Sequence, residues 1–281
     1  MKLLRFGPAG QEKPGVLIGE QRKDCSAHFS DWDHDFFQND GLLRLQALID
    51  AEGDRLPNVP EDVRWGSPVA RPGMIMCIGL NYSDHAKESG MEPPAEPVIF
   101  MKATNTLAGP NDPVEIPRNS TKTDWEVELG LVLKKDVLYL NNEAEAAECI
   151  AGYCVINDLS ERAFQLEKSG QWVKGKSCPG FSPVGPWLAT SDEVSDVMQL
   201  PMRLWVNGEL RQNGSSSTMI FSPTYVVWYL SQYMKLEAGD IISTGTPPGV
   251  GLGMKPPTYL KAGDVVELEI DGLGRQKQEF V

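Results

Sequence analysis

The sequence predicts a mainly β protein with some α, in which a small N-terminal domain precedes a large one. Short apolar runs of strand length recur from about residue 74 to the C-terminus. Asn207-Gly208 separates two of them, and such a pair tolerates the positive φ of a tight hairpin. Helical signals are few. The chain has 281 residues and is 41% hydrophobic, enough for a sizeable core.

The elements follow in order. Residues 1–6 and 15–18 read as short strands around a Gly/Pro turn. Residues 40–51 carry Leu42, Leu43, Leu45, Leu48 and Ile49 at helical spacing. Pro57, Pro60, Pro68 and Pro72 mark a linker, which assigns 1–69 to the small domain and 70–281 to the main one. Strands are expected at 74–78, 98–102, 125–134 and 152–157, with 202–206 and 209–211 flanking the hairpin turn. Ser222 caps and Pro223 opens a helix running to about residue 236. Strands at 240–243 and 264–270 close the fold.

The formal net charge is −13, which repels nucleic acid and anionic lipid and argues against both as partners. It also repels an anionic substrate, so an acid would need a local cation. The five cysteines form no CxxC pair, which points to reduced thiols in a cytoplasm rather than to zinc or disulfides. The first eight residues lack the apolar run of a signal peptide. No stretch approaches the ~18–20 apolar residues of a membrane span.

Residues 124–133 read Asp-Trp-Glu-Val-Glu-Leu-Gly-Leu-Val-Leu. In a strand Glu126 and Glu128 share a face, with Trp125, Val127, Leu129 and Leu131 on the other. Alone, the pair reads first as the exposed face of an amphipathic strand. Burial would instead require a cation, because adjacent carboxylates repel. Asp158 ends the next strand and is either a turn residue or a third ligand. Three carboxylates suit Mg²⁺ or Mn²⁺.

His85 and Glu88 fall three apart in a short helix that Asn81 would cap, where the carboxylate can orient the imidazole as a general base for water. An exposed polar turn is the plainer alternative. Asp31, Asp33, His34 and Asp35 read as a solvated loop. Lys176, in Lys174-Gly175-Lys176-Ser177, stands among small residues at a strand start, where it meets either ligand or water. The glycine-rich run 245–253 lacks the ending of a phosphate loop and reads as a mobile rim over a pocket.

The ordered set Gly-Leu-Asn-Tyr-x-x-His-x-x-Glu, Phe-Met-Lys, Glu-x-Glu, Asn-Asp-Leu-Ser-x-Arg-x-x-Gln, Gly-Lys-Ser and Thr-Gly-Thr-Pro-x-Gly-Val-Gly resembles the fumarylacetoacetate hydrolase family from about residue 70 onward. That resemblance implies a β-roll core, usually a homodimer, and Mg²⁺ or Mn²⁺ on Glu126, Glu128 and Asp158. It places His85 and Glu88 on a lid helix, makes Lys176 the active-site lysine, and puts Lys102, Arg162, Gln165 and Thr246 against the substrate. Leu80 stands where many relatives carry arginine.

The implied substrate is a 2,4-diketo acid whose carboxylate and 2-keto oxygens chelate the metal. Water activated by His85 attacks C4, the C3–C4 bond breaks, and Lys176 stabilises or protonates the leaving carbon. The Gly-Leu-Asn-Tyr and Phe-Met-Lys-Ala motifs are similar to those of hydrolases of 2,4-diketo-3-deoxy sugar acids of the rhamnonate or fuconate type, which release pyruvate and lactate. The alternatives are a ureidoglycolate lyase, an oxaloacetate decarboxylase or acylpyruvase, an isomerase, and a catalytically silent keto-acid-binding protein.

Overall fold

The computed structural model describes residues 1–84 and 92–281. The chain opens with an antiparallel meander of β1 (Lys2–Phe6), β2 (Lys13–Ile18) and β3 (Gln21–Asp24), followed by α1 (His34–Gln38) and α2 (Gly41–Glu52). Then come β4 (Trp65–Gly66), β5 (Ile75–Gly79), β6 (Val98–Lys102), β7 (Leu107–Ala108), β8 (Thr123–Asp124) and β9 (Val127–Leu133). A middle group comprises α3 (Glu143–Ala147), β10 (Ile150–Asn157), β11 (Ser160–Glu161), α4 (Arg162–Leu166), α5 (Val173–Lys176) and β12 (Ser182–Thr190). The last group is β13 (Pro201–Val206), β14 (Glu209–Ser215), α6 (Pro223–Ser231), β15 (Ile241–Ser243), β16 (Val265–Ile270) and β17 (Gly274–Glu279).

The expected mainly β architecture with some α is present. One large sheet runs β3-β2-β1-β12-β10-β9-β15-β5-β6, and a smaller one runs β14-β13-β16-β17. The main sheet is antiparallel at β9–β10 and β9–β15 and parallel at β15–β5. The meander joins it where Lys2 and Leu3 of β1 pair with Ala189 and Leu188 of β12. The β13–β14 turn has Asn207 at φ 51° and Gly208 at φ 81°, the two positive values that residue pair was expected to supply.

Every residue of β9 and β10 is buried. Val127, Leu129, Leu131 and Leu133 pack with Met202, Leu204, Val266 and Leu268 of the small sheet. Val132, Cys154 and Ile156 face the other way, onto Trp32, Phe36 and Leu45 around the N-terminal helices. Coverage of both faces buries the strand that carries the carboxylate pair.

The helix opened by Ser222 has its cap, since Ser222 Oγ accepts from Tyr225 N at 3.1 Å. It ends at Ser231 rather than near 236, because Leu236 and Val137 exchange backbone hydrogen bonds of 3.0 and 2.9 Å that need extended chain. No helix of the described residues is long and apolar enough to cross a membrane.

Candidate metal centre and substrate cavity

Glu126 and Glu128 enter the site at the start of β9. The two-residue period held, but the face is not solvated: Glu126 is 6% and Glu128 2% exposed. The β9–β10 register pairs Ile156 with Glu128, and Asp158 N donates to Glu126 O at 3.0 Å, which sets Asp158 beside Glu126. Ligand oxygens of Glu126, Glu128 and Asp158 lie within 4.8 Å of one another, the one such acidic group among the described residues. The ladder is interrupted here, and side chains satisfy the backbone instead. Asn157 Oδ1 accepts from Glu126 N at 3.2 Å, and Gln212 Oε1 accepts from Val127 N at 2.9 Å.

Three cations converge on these acids. Lys102 donates to Asp158 Oδ1 at 2.5 Å and to Leu159 O at 2.9 Å. Lys176 bridges Glu126 Oε2 and Asp158 Oδ2, each at 2.6 Å. Arg162 donates to Glu126 Oε1 at 2.6 Å and to Asp124 Oδ2 at 2.8 Å. Against them stand four buried carboxylates, those of Asp124, Glu126, Glu128 and Asp158.

Glu128 is the carboxylate left over. It accepts from Ser243 Oγ at 2.6 Å and Gly245 N at 2.9 Å, and forms no salt bridge among the described residues. Burial, reinforced by the charges of Asp158 and Glu126, pushes its carboxyl up to about 8. Burial acts on Glu126 in the same direction, but Arg162 and Lys176 outweigh it and hold that carboxyl well below the usual range. Burial alone would discharge Lys176, yet Asp158 and Glu126 keep its ammonium protonated well above its ordinary value.

The residues fit a divalent metal. Three hard oxygen donors converge, and the cluster holds one carboxyl group more than it has cations, so a bound cation would let that carboxyl ionise. Magnesium and manganese both suit that donor set.

Above the acids opens a cavity of about 690 Å³. Glu126, Glu128, Arg162 and Lys176 form its polar floor, and Phe100, Leu166, Trp172, Leu252 and Met254 line apolar walls. Arg162, Gln165, Lys176 and Thr246 all line it. Gln165 Oε1 accepts from Arg162 at 3.1 Å, which turns its amide NH₂ toward other partners. Thr246 Oγ1 donates to Val127 O at 2.9 Å and accepts from Gln212 Nε2 at 2.8 Å.

Other expectations are corrected. Lys102 is fully buried behind Asp158 and is a counter-ion outside the cavity lining. Lys176 ends the short helix α5 and does not start a strand. Gly175 presses that helix onto α4, since a Cβ there would meet Glu161 O at 2.3 Å. Asn81 caps nothing. It is fully buried, and its amide donates to Phe221 O at 3.0 Å and Thr244 O at 2.8 Å. The glycine-rich run rims the cavity, yet it is tethered: Gly251 N and Leu252 N donate to Asp124 at 2.6 and 3.0 Å. His85 and Glu88 lie outside the described residues.

In the segment 31–35, Asp31 pairs with Arg5 at 2.6 Å, and Asp33 caps α1 through Phe36 N at 3.1 Å. Sequence reasoning missed Asp124, Gln212 and Ser243. Asp124 was within reach, because the two-residue period places it on the face of Glu126 and Glu128.

A family profile described as fumarylacetoacetate (FAA) hydrolase C-terminal matches residues 74–281. The chain belongs to the fumarylacetoacetate hydrolase family. A Burkholderia multivorans protein with a provisional hydrolase name is 53% identical, covering 99% of this chain and 98% of its own. The solved fumarylacetoacetate hydrolase of Exiguobacterium antarcticum is 34% identical with a TM-score of 0.84, covering 100% of this chain and 99% of its own. Maleylpyruvate hydrolase of Sphingobium sp. SYK-6, solved with manganese(II) and pyruvate, is 28% identical with a TM-score of 0.82 over the same shares, 100% and 99%.

Proposed function

We propose that this chain is a divalent-metal-dependent hydrolase that cleaves the C3–C4 bond of a 2,4-diketo acid. The observation that carries the reading is the buried Glu126, Glu128 and Asp158 triad, which with Asp124 makes one carboxyl group more than the cluster has cations, beneath an apolar-walled cavity. The manganese and pyruvate held by the Sphingobium enzyme support it, since pyruvate is a product of this cleavage.

Glu126, Glu128 and Asp158 would hold Mg²⁺ or Mn²⁺. Bound there, the metal would supply Lewis acidity toward the 2-oxo acid end and would offset negative charge. Arg162 fixes the Glu126 carboxylate by a 2.6 Å hydrogen bond. Gln165 offers its amide NH₂ to a substrate oxygen. The apolar walls keep bulk water from the reacting carbons. His85, oriented by Glu88, takes a proton from the water that adds to C4. The C3–C4 electron pair passes to C3, and the protonated Lys176 Nζ stabilises or protonates that carbon. The products are pyruvate and the acid derived from C4. His85→Ala lowers turnover roughly 10²–10⁴-fold at saturating metal; full turnover in that variant removes the base assignment.

The motif resemblance favours 2,4-diketo-3-deoxy sugar acids of the rhamnonate or fuconate type, giving pyruvate and lactate. The deciding experiment is a metal-supplemented screen of diketo sugar acids, acylpyruvates, oxaloacetate and ureidoglycolate with product identification. Pyruvate from a diketo acid supports the reading. Binding without turnover across the panel indicates a silent keto-acid binder, and an absorbance change without pyruvate indicates an isomerase. A homodimer is expected, and analytical ultracentrifugation checks it.

A further inference from the structure

Asp124 ends β8 two residues before Glu126 and is fully buried. Both of its oxygens are fully engaged. Oδ1 accepts from Gly251 N at 2.6 Å and Trp125 N at 2.8 Å. Oδ2 accepts from Arg162 Nε at 2.8 Å and Leu252 N at 3.0 Å. The neighbouring indole adds a second tether, since Trp125 Nε1 donates to Gly249 O at 3.1 Å. One carboxylate therefore ties the arginine of the cavity floor to the turn at Gly251–Gly253. Val250, Leu252, Met254 and Lys255, on and beside that turn, form one wall of the cavity.

The turn is shaped for this contact. A Cβ on Gly251 would lie 2.7 Å from Asp124 Oδ1 and 2.0 Å from Thr258 O, so only glycine allows the approach. Asparagine does not replace the aspartate. Its NH₂ would face either the Gly251 and Trp125 N–H groups or the Arg162 Nε–H and Leu252 N–H, donor against donor.

We infer that Asp124 is a positioning residue that fixes the glycine-rich wall against Arg162, so that substrate fit depends on it more than bond cleavage does. The kinetic part of the inference rests on the proposed function; the structural part does not.

The test compares metal-loaded wild type, Asp124→Asn and Gly251→Ala. Amide hydrogen exchange at residues 250–254 should speed up about tenfold in both variants, with β9 and β10 as protected as before. With whichever diketo acid the wild type turns over, KM should rise about tenfold while kcat falls less than about threefold, and in Gly251→Ala, which leaves every charge of the cluster in place, the Mn²⁺ dissociation constant should stay within about threefold. Gly251→Ala leaves the Asp124–Arg162 pair in place, so it carries the test even if Asp124→Asn does not fold. Because both changes strike one contact, the double variant should be no worse than the single ones. Unchanged exchange at 250–254, or loss of kcat and Mn²⁺ affinity at constant KM in Gly251→Ala, overturns the inference. If the wild type turns over no acid, the proposed function fails, and hydrogen exchange still decides the role of Asp124.

Discussion

At the N-terminal face, Glu12, Asp31 and Asp112 meet Arg5 and Arg64. At the cavity floor, Asp124, Glu126, Glu128 and Asp158 meet Lys102, Arg162 and Lys176. Each cluster holds one carboxylate more than it has cations. In the first, side chains are 10–28% exposed and every carboxylate touches a guanidinium, so water absorbs the excess. In the second, all members are nearly or fully buried, and the excess falls on Glu128, whose carboxyl rises to about 8. A surplus carboxyl that water cannot reach is the one that would favour a bound cation, and the two clusters can be pushed apart or together by experiment.

The largest effect belongs to Glu126→Ala. It removes a ligand and leaves Arg162 and Lys176 facing each other with one partner fewer. Breaking a buried pair in this way costs about 3–5 kcal/mol. Mn²⁺ affinity, followed by calorimetry, should fall on the order of 100-fold or more, a loss comparable to that seen for disrupted metal shells. Glu128→Gln makes the contrast: it should lose Mn²⁺ affinity similarly while leaving the metal-free melting temperature nearly unchanged, because the carboxyl it replaces is already largely protonated at neutral pH. A metal-free destabilisation equal to that of Glu126→Ala would mean that Glu128 is charged and balanced after all.

Lys176→Met comes next. Losing a buried donor aimed at developing charge typically costs about 10²–10³-fold in kcat. Folding should survive, since Glu126 retains Arg162 and Asp158 retains Lys102. Turnover above a tenth of wild type under saturating metal would reduce Lys176 to a counter-ion like Lys102.

What the sequence made legible follows the same division. The strand period placed Glu126 and Glu128 on one face, and the hairpin pair gave its turn, because both are local. Burial of that face was not local. It depends on the small sheet and the N-terminal helices closing over β9, so the pair alone suggested a solvated strand. The bridging of Glu126 and Asp158 by Lys176, and the burial of Lys102 behind Asp158, join residues from four separate segments and leave no periodic trace. Strands β3, β12 and β17 and the two-residue strands β4, β7, β8 and β11 also went unread. Pro183 and Pro186 mask β12, which accommodates them around a register shift opposite Tyr153 and Val155. In β17 the inward residues are Gln276 and Gln278, so the strand shows no apolar alternation. Gln276 instead bonds Val155 O at 2.8 Å, and Gln278 accepts from Asn157 Nδ2 at 2.9 Å, fastening the small sheet to the site.

The pH dependence of the metal-free protein isolates Glu128. A carboxyl raised to about 8 in the fold, from an ordinary value of about 4.3 unfolded, binds its proton more tightly when folded. Its contribution is complete below the unfolded value and is lost as pH rises through the folded one. Chelated protein should therefore lose stability between about pH 5 and pH 8, by at most about 1.4 kcal/mol per pH unit. Urea denaturation across that range measures it. Glu128→Gln should flatten the slope. Saturating Mn²⁺ should reverse it, since a bound cation favours the ionised carboxylate. A flat wild-type profile would remove the claimed difference between the clusters.

The smallest effect tests the other cluster. Arg64 donates to Asp112 at 2.6 and 2.5 Å, to Glu12 at 2.9 Å and to Gly7 O at 3.0 Å, a richer set than most surface pairs have. Its removal still leaves no acid stranded. Asp112 keeps the Gly109 amide at 2.7 Å, Glu12 keeps Arg5 at 3.6 Å and the Gly10 amide at 3.0 Å, and water reaches all of them. Arg64→Ala should therefore cost about 1 kcal/mol in urea denaturation and leave Mn²⁺ affinity unchanged. A loss near that of Glu126→Ala would show that hydrogen-bond number, not access of water, decides what a surplus carboxylate costs. The reading of Glu128 as the mark of a metal site would then lose its physical basis.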